Sequence, residues 1–168
     1  MSAKERLKKR LLAAREYSLA LLHDFAEPRQ WTHQVHGAAN HALWFAGHMA
    51  VVDNFFVSTV APERVVGLPE FEKAFGMGSQ PTSDPADYPP VSDVLEVMNE
   101  RRRTLLDVLD ALDDAALEQP TPKGTPDFLP DVAAVFETAV WHEGLHSGQL
   151  SVARRAMGHR PVMEPPGA

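Results

Sequence analysis

The 168-residue chain contains no cysteine. That excludes disulfide staples, thiolate metal ligands, iron–sulfur clusters and a cysteine nucleophile, so any metal must rest on histidine, carboxylate or water. There is no apolar run of the roughly 18 residues that a membrane-crossing helix needs. No stretch alternates apolar with polar residues as a half-buried strand does. A concentrated basic surface is also missing: 16 lysines and arginines stand against 23 acidic residues, with a net charge of -7 and a pI near 5.6. This balance disfavours binding to nucleic-acid phosphates. The basic clusters at residues 4–10, 101–103 and 154–155 read as solvated helix faces. The opening stretch MSAKERLKKRLLAAREYSLALLHDF places charge before apolar residues, as a signal peptide does. However, Glu5, Arg15, Glu16 and Asp24 interrupt it at helical spacing and no small-residue cleavage site follows, which makes it an amphipathic helix. A soluble cytoplasmic protein is expected, one domain over residues 1–168, with no membrane or nucleic-acid partner.

What the chain does have is helical periodicity, in four segments. The first covers about residues 3–25, with Leu7, Leu11, Ala14, Ser18, Leu21 and Phe25 facing inward and Pro28 ending it. The second covers about residues 40–59, with Asn40 as N-cap, Pro62 beyond its end, and an inward stripe of His41, Trp44, His48, Val51 and Phe55. A proline- and glycine-rich link follows over residues 60–90, with a short helix around residues 69–75. A link this long inside a compact domain is functional or spans the length of a bundle. Ser92 caps the third helix, which reaches about residue 112 with the stripe Val94, Met98, Arg101, Leu105, Val108 and Leu112. After a second link, EQPTPKGTPDFLP, the fourth helix covers about residues 131–157 and stops at Gly158. Its inward stripe is Val135, Ala139, His142, His146, Gln149 and Ala153. The expected fold is all-α, a four-helix bundle with a long crossover between helices 2 and 3.

Chemistry concentrates in the fourth helix, where residues 142–146 read HEGLH. Histidines at i and i+4 project from one face, near enough to share an ion. Alone, the pair is equally a satisfied polar pair, and His48 on the second helix would by itself sooner be a neutral hydrogen-bonded core histidine. Together, three imidazoles entering one interior are hard to satisfy without a shared cation. Three histidine ligands leave a coordination position open, the arrangement of catalytic rather than structural zinc. Gln149, one turn further on, reads either as a hydrogen-bonding partner for a bound ligand or metal water, or as a surface amide. His41 is a further candidate ligand or supporting residue. His33 and His36 read as loop residues at the pocket mouth, His159 as solvated, and His23 as a poor candidate beside Asp24. Arg101 either meets an anionic substrate or snorkels from a helix edge.

HEGLH also matches the zinc-protease helix H-E-x-x-H, with Glu143 as base. That reading lacks an edge strand to hold a peptide. The extended motif fails as well, with Gln at 149 and Val at 152. Glu143 lies about 100° around the helix from His142, toward a neighbouring helix or solvent.

The run VWHEGLHSGQLSVARRAMG, with NHALWFAGHM earlier in the chain, resembles the DinB/YfiT-like family of metal-binding four-helix bundles. The segment GLPEFEKAFGMGSQPTSDPADYPPVSDVLEVM is similar to that family's crossover into its third helix. The resemblance implies that His48, His142 and His146 ligate a divalent ion, zinc or nickel. It also implies a homodimer, and thiol-dependent transferase or isomerase chemistry with a low-molecular-weight thiol. The expectation is a metal-dependent S-transferase or detoxification enzyme acting on small electrophiles, with a hydrolase or a non-catalytic metal-binding stress-response module as alternatives.

Overall fold

The computed structural model describes residues 1–163. Among them all regular structure is helical, apart from one isolated bridge pairing Pro120 with Asp131. The helices are α1 (Ala3–Leu22), α2 (Pro28–Trp31), α3 (Ala42–Val60), α4 (Pro69–Phe75), α5 (Val91–Ala111), α6 (Asp114–Leu117) and α7 (Val132–Ala156). Two 3₁₀ turns, Pro62–Arg64 and Pro85–Asp87, punctuate the link between α3 and α5.

Local chemistry sets the ends of these helices. Ser2 and Glu5 form a reciprocal capping box at the start of α1, satisfying two N–H groups that have no partner within the helix. Pro28 does not end α1, which stops at Leu22; it opens α2 instead, where a missing N–H costs nothing. α3 is capped by His41 rather than Asn40: the His41 Nδ1 accepts from the Trp44 N–H at 3.0 Å. Ser92 lies inside α5, one residue after it begins at Val91. Asp131 caps α7, and Gly158, at φ +86°, sits in the left-handed backbone region just beyond its end. No helix of the described residues is long and apolar enough to cross a membrane.

α1 packs on α7 and α5, and α3 packs on α5 and α7, so each long helix has two long neighbours. Their inward faces bury two apolar clusters. Leu21, Leu43, Met49, Phe75, Met98 and Leu150 belong to one. Leu11, Phe56, Leu105, Leu109, Val135 and Phe136 belong to the other. Between the two lies a layer of buried charge to which each long helix contributes: Arg15 on α1, Asp53 on α3, Arg102 on α5 and Glu143 on α7. Arg102 donates from Nε and Nη2 to Asp53 at 2.8 and 2.9 Å. Arg15 bridges the two carboxylates, at 2.7 Å from Glu143 Oε1 and 3.1 Å from Asp53 Oδ2. Arg102 Nη1 lies 2.7 Å from Glu143 Oε2, an ion pair off the angle of a well-formed hydrogen bond. Removing one member of such a layer leaves an uncompensated charge in the interior, at a cost of about 3–5 kcal/mol.

The inward stripes hold with local exceptions. Phe55 is exposed on the outside of α3, and in α1 the buried position is Arg15, with Ala14 only half-buried.

Candidate metal centre

α3 delivers His48, and α7 delivers His142 and His146. One ring nitrogen of each lies within 4.8 Å of the others. The ring centroids are 5.1 Å apart for His48 and His142, 4.9 Å for His48 and His146, and 4.5 Å for His142 and His146. A tetrahedral ion with Zn–N bonds of about 2.0–2.1 Å sets its ligand nitrogens about 3.4 Å apart, so the rings would have to draw together to hold one.

Two of the rings are held from behind. His48 Nδ1 donates to the Phe75 carbonyl at 2.7 Å, and His146 Nδ1 donates to Gln149 Oε1 at 3.0 Å. Carbonyl oxygens only accept, so both rings carry their proton on Nδ1 and keep Nε2 as a lone-pair donor. Burial pushes the His48 pKa down to about 4, reinforced by the neighbouring His146 and opposed by the Phe75 carbonyl. Burial lowers His142 further, to about 3, with repulsion from His146 and His48 adding to it. His146 is lowered by burial against the pull of Gln149. The three rings are therefore neutral at pH 7, the state a metal ligand requires. Trp44 covers the group, stacking on His48 at 4.3 Å and 17°, and donating from Nε1 to Ser79 Oγ at 2.8 Å.

The Phe75 carbonyl is the last of α4, and its position depends on Gly47. A Cβ at residue 47 would lie 2.2 Å from the Phe75 ring, so the absent side chain is the seat on which α4 rests.

A family model described as the DinB superfamily matches residues 10–150, a span that includes every residue of the triad. The chain belongs to the DinB superfamily. No match was found among curated proteins. In this DinB-superfamily chain the donor set, three neutral imidazoles with two back-side carbonyl partners, fits a divalent transition ion.

The other sequence candidates fall elsewhere. Glu143 is wholly buried between Arg15 and Arg102, which removes it from any role as a base beside the triad. His41 is committed at both nitrogens, to the Trp44 N–H and, at 3.1 Å, to the Tyr88 hydroxyl, so it supports α3 and is not part of the triad. Arg101 neither reaches solvent nor lies exposed to a ligand: it is buried, donates to Asn54 Oδ1 at 3.2 Å and to the Arg64 carbonyl at 3.3 Å, and pairs with Glu100. Gln149 is exposed; its Oε1 also accepts from Asn40 Nδ2 at 3.1 Å, and with Val35, His36, Asn40 and Val152 it lines a cavity of about 290 Å³ that no triad histidine lines. His33 and His36 border a separate opening with Arg29 and Asp84. His159 is half-buried with its ring 6.0 Å from Phe25, and is not solvated as its place beyond the helix suggested. His23 is exposed beside Asp24.

Proposed function

We propose that this chain is a divalent-metal-dependent enzyme in which His48, His142 and His146 hold zinc or nickel. The observation that carries the reading is the convergence of three imidazole nitrogens from two helices within 4.8 Å. A three-histidine set leaves coordination positions for an exogenous ligand, and a divalent ion there supplies the positive charge that acidifies a coordinated thiol or water at neutral pH. The protein's part is positional. Phe75 and Gln149 fix the proton on the far side of two rings, Trp44 excludes water from the buried side, and Gln149 with Asn40 offers polar contacts to a small molecule in the cavity that those two residues line. The leading chemistry is transfer of a low-molecular-weight thiol to a small electrophile, a detoxification reaction, with hydrolysis second.

The same reading takes the chain as one domain over residues 1–168. Its long helices α1, α3, α5 and α7 form a four-helix bundle, with the crossover running from α3 to α5. It is cytoplasmic, acts on a small molecule and has no nucleic-acid or membrane partner. A homodimer belongs to it too, supported by the exposed apolar stripe of Trp141, Leu145 and Val152 along α7.

The test is elemental analysis of protein prepared without added metal, beside His48→Ala, followed by thiol–electrophile conjugation and ester-hydrolysis screens on the loaded form. About one ion per chain, lost in the variant, together with thiol turnover supports the enzyme. Metal without turnover of any thiol or ester selects the binding module, and equal metal content in the variant refutes the site.

A further inference from the structure

We propose that the buried layer of Arg15, Asp53, Arg102 and Glu143 is a positioning device for the histidine triad, setting the rotation of α7 against α3 so that His142 and His146 meet His48. The proposal rests on reading the triad as a metal centre.

Successive helix residues point about 100° apart, so the direction of Glu143 dictates that of His142. Glu143 is wholly buried, and its two oxygens lie 2.7 Å from Arg15 Nε and 2.7 Å from Arg102 Nη1, groups brought by α1 and α5. Turning α7 by one residue would drive that carboxylate into apolar packing and strand both guanidiniums. α3 is pinned in the same way. Asp53 follows His48 on the same helix and takes both arginines, at 2.8 and 2.9 Å from Arg102 and 3.1 Å from Arg15. Each helix that carries a triad histidine therefore also carries a carboxylate, and the two helices that carry none supply the shared arginines. Ser18 and Ser147, 3.0 Å apart one turn further along α7, restrain the same rotation with a weaker, neutral hydrogen bond.

Apolar packing tolerates repacking, whereas these charges accept one arrangement. Replacing buried ion networks by apolar residues is often neutral or stabilising, so stability alone does not account for four buried charges. Setting register is the best-attested use of such networks.

The test uses the full chain with Arg15→Met, Asp53→Leu, Arg102→Met and Glu143→Leu combined, and separately Glu143→Gln. Helicity and melting are measured together with cobalt(II) titration, the visible cobalt spectrum, and proton NMR contacts between the rings of His48, His142 and His146 in metal-free protein. The apolar variant is expected to fold with wild-type helicity, bind cobalt about 10- to 100-fold more weakly, shift its ligand-field bands and lose the ring-to-ring contacts. Glu143→Gln is expected to move the same readouts in the same direction. A folded variant with wild-type affinity, bands and contacts overturns the proposal. Failure of both variants to fold also overturns it, in favour of a network that holds the whole molecule. If wild-type protein binds no cobalt, the metal reading fails, and the ring contacts alone decide the positioning role.

Discussion

Gly47→Ala tests the link between α4 and the triad with the smallest possible change. In the middle of a helix this substitution ordinarily stabilises by about 1 kcal/mol, through helix propensity and the entropy of the unfolded chain. Here the added Cβ would lie 2.2 Å from Cδ2 and Cγ of Phe75 and 2.6 Å from Cδ1. Ordinary carbon contacts are about 3.5–4 Å, so the ring must retreat by about 1.5 Å. It has nowhere easy to go: Phe75 is fully buried, stacked on Tyr88 at 5.5 Å and set edge-on to Phe71 at 5.4 Å. Overpacking of this kind costs about 1–3 kcal/mol, leaving a net loss of up to about 2 kcal/mol after the propensity gain. The same retreat drags the Phe75 carbonyl from His48 Nδ1, and loss of such a back-side partner weakens metal binding about 10- to 100-fold. Urea unfolding reads the first effect and competition with a chromophoric chelator reads the second. Gly144→Ala is the matched control, since nothing lies within 4 Å of its Cβ position on α7. It is expected to gain about 0.5–1 kcal/mol with unchanged metal affinity. If Gly47→Ala behaves like Gly144→Ala in both assays, the seat described for α4 is wrong.

Three further outcomes follow from contacts already given. Burial holds the His41 pKa at about 4 against an ordinary 6.5, with the Thr82 and Trp31 carbonyls opposing. The unfolded chain therefore binds the extra proton first, so the stability contributed by neutral His41 is complete above about pH 6.5 and drains away as the pH falls toward 4. At about 1.4 kcal/mol per pH unit across that window the ceiling is about 3 kcal/mol. In metal-free protein His41→Asn, which keeps a capping oxygen, should show a shallower loss of stability from pH 6.5 to 4 than wild type; identical slopes would count against the assignment. Arg101→Met strips a donor from Asn54 and from the Arg64 carbonyl, and should cost about 1–3 kcal/mol in urea unfolding with metal content unchanged. Gln149→Ala frees His146 Nδ1 and should weaken metal binding about tenfold in the chelator assay, whereas unaltered affinity removes Gln149 from the support of the ring.

Much of this architecture was legible from spacing, because an inward helix face repeats every three or four residues and histidine on that face is conspicuous. His48, His142 and His146 stood out for that reason, and the short helix expected around residues 69–75 is present as Pro69–Phe75. The charged layer escaped notice because charge at helical spacing reads as a solvated face. Yet a signal was present: Leu11, Arg15 and Ser18; Met49, Asp53 and Phe56; Met98, Arg102 and Leu105; and Ala139, Glu143 and Ser147 each keep the inward spacing with a charge in the middle place. Two of those charges are positive and two negative, so the four cancel. Asn40 was misjudged as a cap because asparagine is the commoner choice, whereas the imidazole nitrogen of His41 is what meets the Trp44 N–H. The Phe75 carbonyl had no sequence signature at all, being backbone; the only trace of it was a glycine in the middle of a helix.

That carbonyl has a thermodynamic corollary. Coordination at one nitrogen of an imidazole makes the opposite N–H a stronger donor, so an ion held at His48 would tighten the bond that tethers α4. Linkage is reciprocal in binding free energies. A partner that favours the arrangement keeping the Phe75 carbonyl on His48, whether a substrate lying across the 60–90 segment or a neighbouring subunit leaning on it, would therefore raise the affinity for such an ion. Slower amide exchange in that segment on metal addition is the visible form of the same coupling.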